Sequence, residues 1–328
     1  MRNFIKNICL FSFLALVSLN LLEYFLPYHY GNKSFTAKLV HLEKNGSKFN
    51  TVFFGSSHTD FSVSPTIIDS ILVKENVKSF NFGVGGTSNP ESYYLVEEFI
   101  KNIDSSQYKL FMLEVSPIRN MSLSNFKTTR NCYYHSTKEL NYSLSIIDEE
   151  DYSIKDKSKL TFKYCLHYLK NKINFSKLSY LRTTYFDIEK KSKSYNGFTS
   201  TIINRTLIDS EKDYQQKKET SYVLESIKNI KTSLNSHAER LNEIHQKCKQ
   251  KGIKLFFLVQ PKNKGYIFMN NLRGKLPEGS LINFASAKQF PQFYNEEYSI
   301  DSGHLNLKGA IIFSKLLGLE MKRRLNKK

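Results

Sequence analysis

The chain of 328 residues has no tryptophan, four cysteines, fourteen glycines, seven prolines and a deficit of acidic charge. Four Cys in this length exclude a disulfide-stapled scaffold, and no CxxC pair occurs to suggest a redox or zinc centre. So little Gly and Pro excludes a collagen-like chain. Beyond the N-terminus no segment approaches membrane-spanning length, which excludes a multi-span membrane protein. With 40% hydrophobic and 14% aromatic residues, the chain is also not a disordered one. The acidic deficit, 30 Asp+Glu against 48 Lys+Arg, leaves a formal charge of +18 that would suit nucleic acid, anionic lipid or an acidic polymer. Only nine of the basic residues are Arg, and neither an RNP-type aromatic motif nor zinc-finger spacing accompanies them. With its richness in Asn, Ser, Ile and Phe, the composition reads as a general bias and not as a nucleic-acid surface.

What is present begins with an export signal. Arg2 and Lys6 precede fifteen uncharged residues, Ile8 to Leu22, which end at Glu23. Phe4 and Ile5 extend the run, Lys6 can snorkel to the near interface, and Glu23 would reach the far one. A cleaved signal peptide needs small residues beyond its apolar region, whereas Leu22, Glu23, Tyr24 and Phe25 are all bulky. The reading is an uncleaved anchor over residues 1–27, basic end in the cytoplasm, with residues 28–328 on the outer side of the cytoplasmic membrane. Cys9 lies in that anchor, which leaves an odd number of cysteines, Cys132, Cys165 and Cys248, for the remainder.

The exported part alternates strand and helix signals. Thr51 to Phe54 is a short apolar run closed by Gly55, and a helix opened by Ser64-Pro65 follows with Ile67, Ile68, Ile71 and Leu72 on one face. Val77 to Phe82 gives a second strand, Pro90 to Asn102 a second helix, and Lys109 to Val115 a third strand. This βαβαβ order predicts an α/β fold with a central parallel sheet. Residues 118–215 are largely polar and read as an insertion, and a long helix is expected from about Glu211 to Lys251. Ile253 to Val259 forms a fourth strand and Asn306 to Arg324 the last helix.

Two short segments carry candidate chemistry. Gly55-Ser56-Ser57-His58 follows the first strand, at the sheet end where ligand sites of open α/β folds lie. Asp301-Ser302-Gly303-His304 precedes the last helix. A serine hydroxyl needs a base to remove its proton, and an imidazole serves best when a carboxylate fixes its tautomer. Asp301 and His304 can make that pair locally, and the fold must then bring Ser57 to it. His135, His167, His237 and His245 show no metal-ligand spacing, so neither a metal nor a cofactor is expected.

Strand-GSS-helix, then the block from Asn81 to Ser88 (NFGVGGTS), then Asp301-x-x-His304 before the final helix, resembles the SGNH (GDSL-like) hydrolase superfamily. The ending Asp301 to Asn306 with Lys308-Gly309-Ala310 is similar to its membrane-anchored branch, which includes alginate O-acetylation proteins and the D-alanyl transfer protein of teichoic acid. The resemblance implies a three-layer, flavodoxin-like sandwich in which Ser57 is the nucleophile, His304 the base and Asp301 its orienting acid. It also implies an oxyanion hole from the N–H groups of Ser57 and Gly86. His58, next to Ser57 in the chain, is a candidate substrate contact by its closeness alone. One departure stands out. Where many members carry Gly-x-Asn-Asp after the third strand, this chain has Glu114-Val115-Ser116-Pro117-Ile118. Losing one oxyanion donor costs about 2.7–4 kcal/mol. Either Ser116 or Asn120 substitutes, or the site is weaker or specialised.

The expected activity is that of an SGNH-type esterase or O-acyltransferase, placing or removing O-acetyl groups on a bacterial cell-surface polysaccharide. The expected partners are that polysaccharide, the membrane and a membrane-embedded acyltransferase. The alternative is a non-catalytic SGNH-like scaffold that assists such an acyltransferase.

Overall fold

The protein is described by a computed structural model that covers residues 1–25, 33–87, 90–102, 104–116, 130–134, 136–175, 196–199, 215–216, 218–219, 235–261 and 272–326. The chain divides into two compact units, one of Met1–Thr36 with Asn120–Glu189 and one of Ala37–Arg119 with Lys190–Lys328.

The first unit opens with α1 (Arg2–Phe25). Its span Arg2–Leu21 has mean hydropathy 1.8 and is nowhere buried inside the protein, so α1 is long and apolar enough to cross a membrane.

The second unit is built on a parallel sheet. α2 (Lys33–Asn45), most of which belongs to this unit, precedes β1 (Thr51–Gly55), and β1 is followed by α3 (Ser57–Ser62), α4 (Pro65–Ile71), β2 (Ser79–Gly83), α5 (Glu91–Asn102) and β3 (Leu110–Glu114). In the first unit the chain then forms α6 (Asn131–Tyr134), α7 (Thr137–Glu149) and α8 (Ile154–Lys172). It returns to the sheet through α9 (Asn235–Gln250), β4 (Lys254–Val259), β5 (Leu281–Asn283) and α10 (Leu307–Leu325). The five strands are parallel in the order β2-β1-β3-β4-β5.

Alternation along each strand explains why the apolar runs are continuous. Phe53, Met112, Phe256 and Leu258 join Ile68, Leu72, Phe313 and Leu317 in one buried cluster, so this side chain set meets α4 and α10. Their neighbours point the other way: Phe54 and Phe111 pack edge-on against Phe99 of α5, at 5.2 and 5.8 Å between ring centroids. A strand covered on both faces has no polar side to show, hence TVFFG and KLFFLV. Each fully buried Phe or Leu contributes about 1.5–3 kcal/mol.

The strand order fixes where a ligand can sit. From β1 the chain crosses to β2 on one side and then to β3 on the other, so the connections part at the C-terminal ends of β1 and β3. In open α/β sheets this is the place of ligand binding. Gly55 and Gly83 are aligned in register there, with Leu113 beside Phe54.

The structure refines several expectations. The helical region after β1 is two helices, because α3 begins at Ser57 and stops before the Ser64-Pro65 start of α4. The expected long helix is described only as Asn235–Gln250, and most of 211–234 lies outside the described residues. The described parts of the 118–215 stretch are mainly α6 to α8, while 176–195 and 200–214 lie outside. β5 has only three residues, too few for a periodic signal, and went unread in the sequence.

One interaction locks α2 to the site end of the sheet. Lys38, fully buried, places its Nζ 2.6 Å from Asp60 Oδ1 of α3 and 2.6 Å from the Gly83 carbonyl. Removing one member of a buried pair strands the other charge, which costs about 3–5 kcal/mol, whereas apolar replacement of both is close to neutral. We therefore expect K38A to lower the free energy of unfolding by about that amount. The double variant K38M/D60L should recover most of the loss, both measured by urea unfolding followed by circular dichroism.

Candidate active site

The C-terminal end of β1 delivers Ser57 into the first turn of α3. Ser56 is the N-cap, its hydroxyl accepting from His58 N at 3.2 Å. The carboxylate of Glu114, at the end of β3, grips the same turn. Its Oε2 accepts from the backbone N–H of Ser56 at 2.9 Å and of Thr59 at 3.2 Å, and from the Thr59 hydroxyl at 2.6 Å. Its Oε1 accepts from the Ser56 hydroxyl at 2.7 Å. An anion suits this place because the first N–H groups of a helix have no intrahelical partner and carry its positive dipole end. Gly55 permits the arrangement, since a Cβ there would collide with Thr59 Oγ1 and the Glu114 side chain.

The far end of α3 is held as firmly. Asn81 on β2, fully buried, donates to the carbonyls of Thr59 and Val63 at 2.7 Å each, and its Oδ1 accepts from Gly83 N at 2.8 Å. Ser314 of α10 donates to Ser62 O at 3.0 Å and accepts from Ser64 N at 2.8 Å. Thus β2, β3, α2 and α10 all fix the short helix that carries Ser57.

His304 and Asp301 arrive on the loop before α10. Ile300 N donates to His304 O at 3.1 Å, and Ser299 pairs with Leu305, which closes the loop as a small hairpin. Asn306 caps α10 by accepting from Gly309 N and ties the loop back by donating to Glu297 O at 2.8 Å. Within the hairpin, Asp301 Oδ1 accepts from the N–H groups of Gly303 and His304, both at 2.7 Å. This is the local turn that an Asp side chain favours, and it aims the carboxylate at the imidazole.

The three residues meet. Ser57 Oγ lies 2.8 Å from His304 Nε2, and His304 Nδ1 lies 3.0 and 2.9 Å from the two Asp301 oxygens. With Nδ1–H donated to Asp301, Nε2 is the acceptor for the serine proton. Partial burial would push the Asp301 carboxyl up, but the hydrogen bonds from the His304 ring and the Gly303 and His304 N–H groups leave it below the usual range. Asp301 is therefore ionised throughout the neutral range. His58 stacks on the His304 ring at 4.7 Å with the planes 21° apart, and Phe61 meets that ring edge-on at 5.7 Å. These two stand three apart on α3 and so share one face of it. The structure thus gives His58 a contact with the His304 ring itself.

The oxyanion residues are placed as follows. The Ser57 N–H occupies the first helical position and has no hydrogen-bond partner among the described residues. Val84 to Thr87 form a tight turn, Thr87 N donating to Val84 O at 3.2 Å, with Gly86 at φ 75° in its third position. That conformation favours glycine. Val84 N donates to the Gly55 carbonyl at 2.8 Å and the Thr87 hydroxyl approaches it at 3.3 Å, so the Gly86 turn is fastened two residues before Ser57. Ser116 follows the end of β3, half-buried, and Asn120 lies outside the described residues. Glu114, Asn81 and the Lys38–Asp60 pair are the site residues that sequence reasoning missed. The one legible signal was a carboxylate at the end of the otherwise apolar run Leu110 to Val115.

No protein-family model, no curated protein and no solved structure matches the chain.

Two outcomes are expected. E114A removes four hydrogen bonds from the turn that orients Ser57, and misplacement of a reacting group by about 1 Å costs on the order of 10²-fold. On the reading of Ser57 as an acyl-carrying nucleophile, the loss should fall on kcat and not on KM, in hydrolysis of a small acetyl ester. Because the folded pKa of Asp301 is depressed, its contribution to stability is complete above the unfolded value of about 3.9 and is lost as pH falls through the lower folded value. Acid-unfolding curves of wild type and D301N should therefore differ at pH 5 to 7 and converge in strong acid.

Proposed function

We propose that this protein performs serine-dependent acyl chemistry, and the observation that carries the reading is the hydrogen-bonded line Ser57, His304, Asp301 at the switch point of a parallel sheet. Ser57 Oγ attacks an acyl carbonyl while His304 Nε2 takes its proton, and Asp301 holds the resulting imidazolium. The N–H groups of Ser57 and Gly86 receive the oxyanion. On collapse, His304 returns the proton to the departing alkoxide, leaving the acyl group on Ser57. Water or a sugar hydroxyl, deprotonated by His304, then takes the acyl group and restores the serine.

The motif order, the buried sheet and the closing Asp301-x-x-His304 support membership of the SGNH superfamily with its three-layer arrangement. The anchor supports a site outside the cytoplasm, and the branch resemblance supports O-acetyl transfer to, or removal from, a surface polysaccharide. A membrane-embedded acyltransferase would deliver the acyl group, since coenzyme-linked donors are made on the other side of the bilayer. No cofactor is needed for these steps. The intact triad favours catalysis over the scaffold role.

A fluorophosphonate probe reports an activated serine. The full-length protein in its membrane should be labelled, and S57A should not. The activities of S57A, H304A and the double variant should all fall by on the order of 10⁴–10⁶ and to similar levels, because members of such a unit are not additive. Labelling that persists in S57A and vanishes in S56A would place the nucleophile one residue earlier. An unlabelled wild type whose S57A strain acetylates its polysaccharide normally would favour the scaffold.

A further inference from the structure

α8 belongs to the same compact unit as α1, and it is amphipathic in an unusual sense: its apolar stripe faces outward. Tyr164 is its buried residue, 2% exposed, and marks the inner face. On the opposite face Phe162, Leu166, Leu169 and Ile173 recur at steps of four, three and four, exposed by 67, 38, 58 and 38%. At 100° per residue these four lie within one narrow stripe, and Phe175 just beyond the helix is also half exposed.

Charge completes the pattern. α8 carries Lys155, Lys157, Lys159, Lys163, Lys170 and Lys172 against a single acidic residue, Asp156. Lys159, Lys163 and Lys170 border the stripe on one side and Lys172 on the other. A helix with an exposed apolar stripe and basic borders lies in a membrane interface, the apolar face toward the acyl chains and the lysines among anionic headgroups.

A second observation sets the depth. Asn174, buried and just past the end of α8, donates to Asn20 Oδ1 of α1 at 3.3 Å. Asn20 is eighteen residues along α1 from Arg2. At 1.5 Å per residue that is about 27 Å, close to the thickness of a hydrocarbon core. The hydrogen bond therefore pins the stripe-bearing end of α8 to the point where α1 leaves the apolar slab opposite its basic end.

We propose that α8 is a second membrane contact, docking its Phe162–Leu166–Leu169–Ile173 stripe into the leaflet where α1 emerges, with its lysines on anionic headgroups. The proposal rests on α1 being a membrane anchor. Its consequence is positional: the helical part of the first unit is held to the membrane by two contacts instead of swinging on one.

The absence of tryptophan supplies the test. Full-length F162W and L169W, each with a single Trp at an exposed position, are reconstituted in vesicles of phosphatidylglycerol with phosphatidylcholine brominated on its acyl chains. F11W, inside the anchor, and V73W, exposed on the second unit, serve as references. We expect F162W and L169W to show blue-shifted emission and quenching comparable with F11W, while V73W shows neither. Quenching of F11W alone would overturn the proposal and leave the anchor standing. Blue-shifted but unquenched emission from F162W and L169W would also overturn it, since a protein would then cover the stripe. No quenching of F11W would overturn the anchor reading and this proposal together.

Discussion

The carboxylate of Glu114 is closed by hydrogen bonds to the first turn of α3, and the geometry of the site depends on that closure. Ser57 is presented by a helix of only six residues, too short to hold itself, since nucleating a turn fixes several dihedrals for one hydrogen bond. Glu114 offsets that cost at the front, Asn81 and Ser314 at the back, and Lys38 through Asp60 from the side. All four anchors are buried or half-buried, where a fully satisfied polar network is rigid and an unsatisfied one is costly. On the proposed reading, a serine fixed in this way needs little reorganisation to reach a transition state.

His304 is fixed by a different device. His304 sits on a closed hairpin whose tip is tied to its own Asp301, and the ring is held from above by His58 and from the edge by Phe61. Since His58 and Phe61 lie on α3, the helix that carries Ser57 also contacts His304. The distance between Ser57 and His304 is thereby governed by one element rather than by two independent loops. The buried Lys38–Asp60 pair has a similar logic: it adds less stability than apolar packing would, and it specifies how α2 meets α3.

The sequence was legible where chemistry is local or follows a pattern along the chain. Asp301 and His304 stand three apart, Ser57 follows a strand and a glycine, and β1 to β4 are apolar runs closed by Gly or by polar residues. The parallel order follows from alternation with helices. What could not be read is pairing through space. Nothing near Lys38 in sequence announces Asp60, and Asn81 reads as one polar residue in a strand until four backbone groups converge on it. Glu114 occupied the place of a missing donor, and its hydrogen bonds to Ser56 and Thr59 cross 58 and 55 residues. β5 escaped because three residues cannot show a period, and the break between α3 and α4 because six residues make fewer than two helical turns.

The central claim is that Ser57, activated by His304, carries the acyl group covalently. The most direct measurement is to mix the full-length protein with an activated acetyl ester, quench in acid, and map the acetylated peptide by mass spectrometry. The account predicts acetyl on Ser57, formed in a burst and absent from H304A. Acetyl found on Ser56, on lysines alone, or equally in H304A would contradict it.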